Sequence, residues 1–143
     1  MAVKRLSKMP KAMGSLLRFL WPRSGKIEPL AEFKGSALRV SDFQIDRKEY
    51  RHYQEVCELD THNPLSILYP QVIVSPLQLA LLSDKLFPLS MLGAVHRHNR
   101  IIQNNNIDLA DTLDLCVTMF EYRVLAKGIE IELLSEVRVQ DRL

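Results

Sequence analysis

The chain has 143 residues, of which 47% are hydrophobic and 25% charged, and its formal net charge is +2. This length suits one globular domain with a core of its own. Such a small net charge indicates no particular class of partner, and no apolar run approaches the ~20 residues that span a bilayer, so the sequence predicts a cytoplasmic protein.

Residues 1–34 are predicted to form an arm and a linker ahead of a folded module of residues 35–143. Residues 1–27 carry Lys and Arg but no acid, and apolar residues recur at near-helical spacing over residues 6–21. This pattern predicts a basic amphipathic helix that makes peripheral contact with a membrane or a partner. The alternative is an arm that packs on its own domain or is partly disordered. The linker is indicated by Pro22, Ser24, Gly25 and Pro29.

A strand and a helix open the folded module. Alternating residues predict the strand over residues 37–43. Asp46 is a candidate N-cap, with Glu49 three residues on as a capping box, so a helix follows. It should end within residues 59–70, LDTHNPLSILYP, because the residue before Pro64 avoids the α-helical conformation.

Residues 70–88 contain an apolar run that predicts a buried central helix. Valine, isoleucine and leucine fall on nearly every side of it, and a helix that is apolar all round is buried. Pro76 should lie in its first turn, and Pro88 should end it.

Three further strands are predicted over residues 93–103, 112–126 and 129–139. The last of them changes phase near Leu134. The middle one alternates best, since one of its faces carries Leu113, Leu115, Val117 and Met119.

The predicted fold class is α+β, an antiparallel sheet of long strands with one apolar helix against its concave face. After the third of these strands a polar turn begins and no strand returns from it. The sheet is therefore expected to lack its last strand, and the chain to be the N-terminal part of something longer.

Several short motifs follow one another along residues 35–140. They are DTHNPLS at residues 60–66, YP at 69–70, PL at 76–77, FP at 87–88, GAVHRHNRI at 93–101 and ADTL at 110–113. In this order they resemble the MaoC-like acyl dehydratases of the hot-dog fold, and most closely the N-terminal module of the double hot-dog members. In that family a curved antiparallel sheet wraps a long central helix, and the loop before the helix reads Asp-x-Asn-Pro-aliphatic-His.

The resemblance implies dehydration of (R)-3-hydroxyacyl thioesters, or hydration of the enoyl product, in fatty acid metabolism. An aspartate and a histidine would move the protons, and a backbone N–H would stabilise the enolate oxygen. The role of the aspartate transfers to Asp60, which stands one residue too far from the Asn-Pro pair. Asn63 matches the motif and is the other candidate catalytic residue. Ser66 stands in the place of the histidine, and a hydroxyl cannot replace imidazole as an acid–base group. His62 could substitute only by pointing the other way.

The module is therefore expected to be the substrate-binding, catalytically degenerate half, completed by a second hot-dog module or in a homodimer. The acyl group would arrive on coenzyme A or acyl carrier protein, without another cofactor. The alternative function is a non-catalytic hot-dog acyl-binding or assembly module. The alternative for the stretch itself is a helix C-terminus and an Asx-Pro turn, followed by an N-cap of the next helix at Ser66 or Ser75. The residues expected to contact the substrate are Tyr69, Val72, Val74, Leu77 and His96.

Other chemistries find little support. His96 and His98 share a face of a predicted strand, but a zinc site needs a third protein ligand, and none has a recognisable spacing. Cys57 and Cys116 match no zinc or redox spacing and are expected to be buried thiols in a reducing compartment. The chain has no glycine-rich phosphate loop. Its basic residues are not interleaved with aromatics on a folded face, so no nucleic-acid partner is predicted.

Overall fold

The computed structural model describes residues 3–11, 29–60 and 65–140. In this part of the chain four strands form one sheet in the order β1-β2-β3-β4, and one face of the sheet packs against α3. The fold is α+β, as predicted, and three of the predicted strands are confirmed to within a residue or two at each end. The elements are β1 (Val3–Leu6), α1 (Pro29–Phe33), β2 (Ala37–Gln44), α2 (Arg47–Val56), α3 (Tyr69–Leu82), β3 (Thr112–Leu125) and β4 (Gly128–Val139).

β3 supplies the central row of the core. It pairs antiparallel with β2 on one side and β4 on the other, so its inward side chains are shielded from both directions. Val40 of β2 is the partner of Leu115 and is also buried. The predicted alternation is confirmed, since the side chains that are at most 1% exposed include Leu113, Leu115, Val117 and Met119.

β4 keeps one phase along its whole length. Leu134 is 44% exposed, whereas Leu133 and Val137 pack against the core. Ser135 takes the inward position between those two, and its hydroxyl accepts a hydrogen bond from Gln78 Nε2 on α3 at 3.0 Å. The predicted phase change near Leu134 is therefore wrong. Leu134 faces outward, and Ser135, whose hydroxyl is hydrogen-bonded by Gln78 of α3, continues the inward row.

Two β-bulges interrupt the ladders. The register of β2 against β3 shifts between Val40 and Phe43, where Asp42 has a positive φ of 57°. The register of β3 against β4 shifts between Met119 and Glu121. A bulge bends its strand and increases the local twist, so the sheet is curved.

β1 joins the sheet as a parallel strand, whereas the sheet was predicted to be wholly antiparallel. Its residues pair with β2 from Val3 opposite Ala37 to Leu6 opposite Val40. Leu6 therefore belongs to the sheet, and the amphipathic helix, which Pro10 allows only from about its own position onward, falls mainly on residues 12–21, outside the described residues. The part of the arm that is described rests on its own domain, while a boundary at residue 34 stays a prediction.

α3 is shorter than the predicted central helix. It begins at Tyr69 and ends at Leu82, with Ser83 as C-cap, so it stops before Pro88. Pro76 lies inside the helix and not in its first turn, where Pro70 stands instead. The helix buries a single stripe, which consists of Tyr69, Ile73, Val74, Leu77 and Leu81.

The strand predicted over residues 93–103 is absent from the structure, and that prediction is wrong. Val95 is 86% exposed and Ile102 is 68% exposed, so the partial alternation does not correspond to a buried face. The segment is joined to β4 by an ion pair between Arg97 and Glu130, whose N and O atoms lie 3.2 Å apart, and not by a backbone ladder.

The packing of α3 on the sheet predicts a large difference between two substitutions in that helix. Leu77→Ala should lower the free energy of unfolding by about 2–5 kcal/mol, because Leu77 is 0% exposed and its loss leaves a cavity. Val72→Ala is the matched control and should change it by about 0.5 kcal/mol or less, because Val72 is 47% exposed. Urea unfolding measures both, and equal losses would contradict this packing.

Candidate functional site

The stretch that resembles a catalytic loop connects α2 to α3. The structure describes its two ends, up to Asp60 and from Leu65 onward. Asp60 is exposed, whereas Asn63 lies outside the described residues together with His62. The catalytic roles of Asp60 and Asn63 therefore stay predictions, and the described geometry concerns how the two ends are held.

α2 begins as the sequence predicts. The Asp46 carboxylate accepts hydrogen bonds from the backbone N–H groups of Lys48 at 2.7 Å and Glu49 at 3.4 Å, which confirms the N-cap. The residues that α2 buries are Tyr50 and Gln54. Residues four apart lie on one face of a helix, so both side chains point in the same direction, toward the ends of the loop.

Each of these two side chains bonds one end of the loop. Gln54 Nε2 donates a hydrogen bond to the Asp60 carbonyl at 3.4 Å. The Tyr50 hydroxyl accepts one from the Ser66 N–H at 3.1 Å. A backbone bond of 2.9 Å from the Leu59 N–H to the Gln54 carbonyl reinforces the first contact. Asp60 and Ser66 are thus both tied to α2.

Ser66 uses its hydroxyl to order the backbone before α3. Its Oγ accepts from the Leu68 N–H at 3.3 Å, and its carbonyl accepts from the Tyr69 N–H at 2.9 Å. The N-cap position belongs to Leu68, which has no side-chain cap. Ser75 lies inside α3 and donates its hydroxyl to a backbone carbonyl. The predicted N-cap at Ser66 or Ser75 is therefore wrong, because the helix starts between them.

Three tyrosine rings pack together where α2 meets α3. The centroid of Tyr69 lies 4.7 Å from that of Tyr50 and 4.9 Å from that of Tyr53. Burial raises the pKa of the Tyr69 hydroxyl, and the negative charges of Glu49 and Asp46 raise this pKa further. The hydroxyl of Tyr69 therefore stays protonated at neutral pH.

The residues predicted to contact an acyl chain lie in different surroundings. Val74 and Leu77 are 1% and 0% exposed and face the core of this chain, and Tyr69 is buried among the tyrosine rings. Val72 is 47% exposed on the open side of α3. His96 is exposed in the segment after α3 and hydrogen-bonds within that segment at 3.1 Å. Val72 and His96 are thus the members of the set that a ligand can reach directly.

A cleft of about 350 Å³ opens beside the start of α3. Leu65, Ile67 and Ile107 supply its apolar walls, while residues 103–106 and Asp108 supply amide and carboxylate groups. The described lining contains no Lys or Arg, so it offers hydrogen bonds to neutral polar groups and no cation for a phosphate. The sequence indicated only a turn here, and the run of three asparagines was the available signal.

The described residues contain no group of three or more His, Cys, Asp or Glu that could ligate a metal. Both cysteines are free thiols, but Cys57 is exposed and Cys116 is half-buried, so the prediction that both are buried is wrong. Cys57 is exposed because it follows the last turn of α2, a helix that buries a narrow face. Among the residues that the structure describes, no helix has the length and apolarity needed to cross a membrane.

Comparison with known proteins finds a distant relative. The chain is 24% identical over 130 residues to 3-hydroxyacyl-thioester dehydratase X of Mycobacterium tuberculosis. The match covers 91% of this chain and 46% of that protein, so the chain spans about half the length of the curated relative. No protein-family model matches the chain, and no solved structure matches it. The name of the relative agrees with the resemblance that the motifs indicate.

The raised pKa of Tyr69 predicts a loss of stability at high pH. The unfolded chain releases this proton near pH 10.0, before the folded chain does. The stabilisation from the neutral hydroxyl is therefore complete below that pH and is lost as the pH rises through the raised pKa. Tyr69→Phe should make the alkaline fall in the free energy of unfolding shallower than in the wild type. Urea unfolding at a series of alkaline pH values checks this, and parallel curves would contradict it.

Proposed function

We propose that the chain is a substrate-binding module of a hot-dog dehydratase that acts on (R)-3-hydroxyacyl thioesters in fatty acid metabolism. The observation that carries the proposal is the similarity, over 91% of the chain, to a protein named as a 3-hydroxyacyl-thioester dehydratase. Two features support it. The DTHNPLS motif stands directly before the apolar helix α3, and α3 lies across a curved four-stranded sheet.

The proposed module is the half that does not carry the acid–base pair. Dehydration requires one group to move the proton next to the carbonyl and another to protonate the leaving hydroxyl. Ser66 stands where the family has its histidine, and both its N–H and its hydroxyl are engaged in holding the backbone. The chain also spans 46% of its relative. A second module with an intact aspartate and histidine would supply the acid–base pair, whereas a second copy of this chain would again carry Ser66 and could complete only the fold.

The proposed ligand site lies along the open side of α3. Val72 on α3, and Ile67 and Leu68 in the turn just before it, are 47–55% exposed and apolar enough to receive an acyl chain. The neighbouring cleft, with its amide groups and without a described cation, suits the amides of a pantetheine arm. Coenzyme A and acyl carrier protein share that arm, so either carrier fits, and no further cofactor is required.

A non-catalytic acyl-binding or assembly module is the second candidate. The exposed apolar side chains at the start of α3 favour it, because such a surface on a soluble domain is usually covered by a ligand or a partner. Native mass spectrometry separates the two functions. Bound acyl species, with no turnover of any 3-hydroxyacyl thioester even beside a second module, would favour the assembly function.

The basic arm remains a separate proposal, as does the cytoplasmic location. Peripheral contact with an anionic membrane would use Lys4, Arg5, Lys8 and Lys11, which are all exposed. Replacing these four by Gln should weaken flotation with anionic liposomes, since each cation near such a surface contributes about 1 kcal/mol. Replacing Arg123 and Lys127 is the control, and unchanged flotation of the arm variant would reject the contact.

The proposed division of labour predicts two results with crotonyl thioesters. The isolated chain should not hydrate them, and Asp60→Asn should leave that background unchanged. Joined to a module with an intact Asp-x-Asn-Pro-x-His, the chain should support turnover, and Val72→Asp should raise KM more than it lowers kcat, because the charge opposes the acyl chain.

Loss of the enoyl absorbance measures both results. Val56→Asp is the matched control, since Val56 is 68% exposed and lies on α2, not on α3. Hydration by the isolated chain that Asp60→Asn abolishes would show that this module is itself catalytic, and the proposed division would then be wrong.

A further inference from the structure

We infer that Tyr50 and Gln54 are positioning residues that hold the start of α3 and the Asp60 end of the loop in place for ligand binding. Together they form a two-point clamp on α2, one side chain for each end of the loop. Its role in binding a thioester rests on the proposed function, whereas its effect on the backbone can be measured without any ligand.

The burial pattern of α2 is the first support. Tyr50 is 4% exposed and Gln54 is 6% exposed. Burying the amide of Gln54 is unfavourable unless it has hydrogen-bond partners, and the described partner is the Asp60 carbonyl. The helix therefore buries the two side chains that contact the loop and leaves most of its other side chains accessible.

Tyr50 contacts the start of α3 through two separate groups. Its ring meets the ring of Tyr69, the first residue of α3, edge-on with centroids 4.7 Å apart. Its hydroxyl accepts the Ser66 N–H at 3.1 Å. The ring contact keeps α2 at a fixed distance from α3, and the hydroxyl fixes the backbone three residues before the helix begins.

The backbone held in this way forms one wall of the cleft. Leu65 and Ile67, which flank Ser66, line the 350 Å³ cleft opposite the asparagine turn. A shift of the Ser66 backbone moves both side chains, because they are its direct neighbours. Loss of the Tyr50 hydroxyl should therefore weaken ligand binding by displacing Leu65 and Ile67, although Tyr50 itself does not line the cleft.

Tyr50→Phe tests the clamp, and Tyr53→Phe is the matched control. Both remove one hydroxyl from the same ring cluster, but the described structure shows no hydrogen bond at the Tyr53 hydroxyl. Tyr50→Phe should speed hydrogen exchange at the Ser66 amide by roughly fivefold, the loss expected for one hydrogen bond. Tyr53→Phe should not, and exchange in β3 should stay unchanged in both.

Gln54→Met keeps the side-chain volume and should speed exchange at Leu59 and Asp60 instead. Equal exchange in Tyr50→Phe and Tyr53→Phe, or faster exchange spread over β3, would overturn the clamp. The hydrogen-exchange measurements use no ligand. A lack of turnover in the isolated chain and in the two-module protein would therefore reject the proposed function but leave the exchange result for the clamp unchanged.

The ligand-binding role has its own readout in the two-module protein, with crotonyl pantetheine as substrate. Tyr50→Phe should raise KM several-fold while kcat changes little, and Tyr53→Phe should leave both near wild type. A Tyr50→Phe variant with faster Ser66 exchange but an unchanged KM would overturn the claim that the clamp serves ligand binding.

Discussion

The packing of one stripe of α3 on the inward row of β3 is the interaction on which the rest of the structure depends. Leu77 on the helix and Val117 on the strand are both 0% exposed and belong to the same core cluster, so this interface is closed to solvent. Burial of such side chains contributes about 1.5–3 kcal/mol each, which makes the stripe the main reason for α3 to stay on the sheet. The stripe starts at Tyr69, so it also decides where the N-terminal end of the helix lies.

The candidate site follows from that placement. A buried Tyr69 presents its ring to Tyr50 and Tyr53, and this contact brings α2 against the start of α3. α2 can then bond Asp60 and Ser66, one residue on each side of the part of the loop that the structure leaves undescribed. The same stripe leaves Val72 on the opposite side of α3, half exposed and apolar. A core contact thus produces both an anchored loop and an open apolar surface beside it.

The sequence was enough to predict strands from the alternation of their side chains and a helix start from its capping residue. The row on β3 and the Asp46 cap are examples, because both depend on near neighbours in sequence. The phase of β4 was mispredicted because Ser135 holds an inward position through Gln78, a residue 57 positions away. The segment around Val95 was mispredicted because alternation alone does not provide a neighbouring strand.

In the candidate site, too, features set by neighbours in sequence could be predicted and features set by contacts between distant residues could not. The motifs placed Asp60 and Ser66 at the junction of α2 and α3, and the structure agrees on the junction. The bonds from Gln54 and Tyr50 could not be predicted, since they depend on how α2 lies against α3. The exposed side of α3 could not be predicted either, because the helix is apolar on nearly every side and only packing selects the buried stripe.

Binding of an acyl thioester at the α2–α3 junction can be tested by an NMR titration of the isotope-labelled chain. The ligand is a non-hydrolysable thioether analogue of crotonyl pantetheine. We expect amide shifts concentrated in residues 65–72 and 103–108, on both walls of the cleft and along the exposed side of α3. No shifts at high ligand concentration, or shifts confined to Thr118 and Leu134 on the outer face of the sheet, would contradict it.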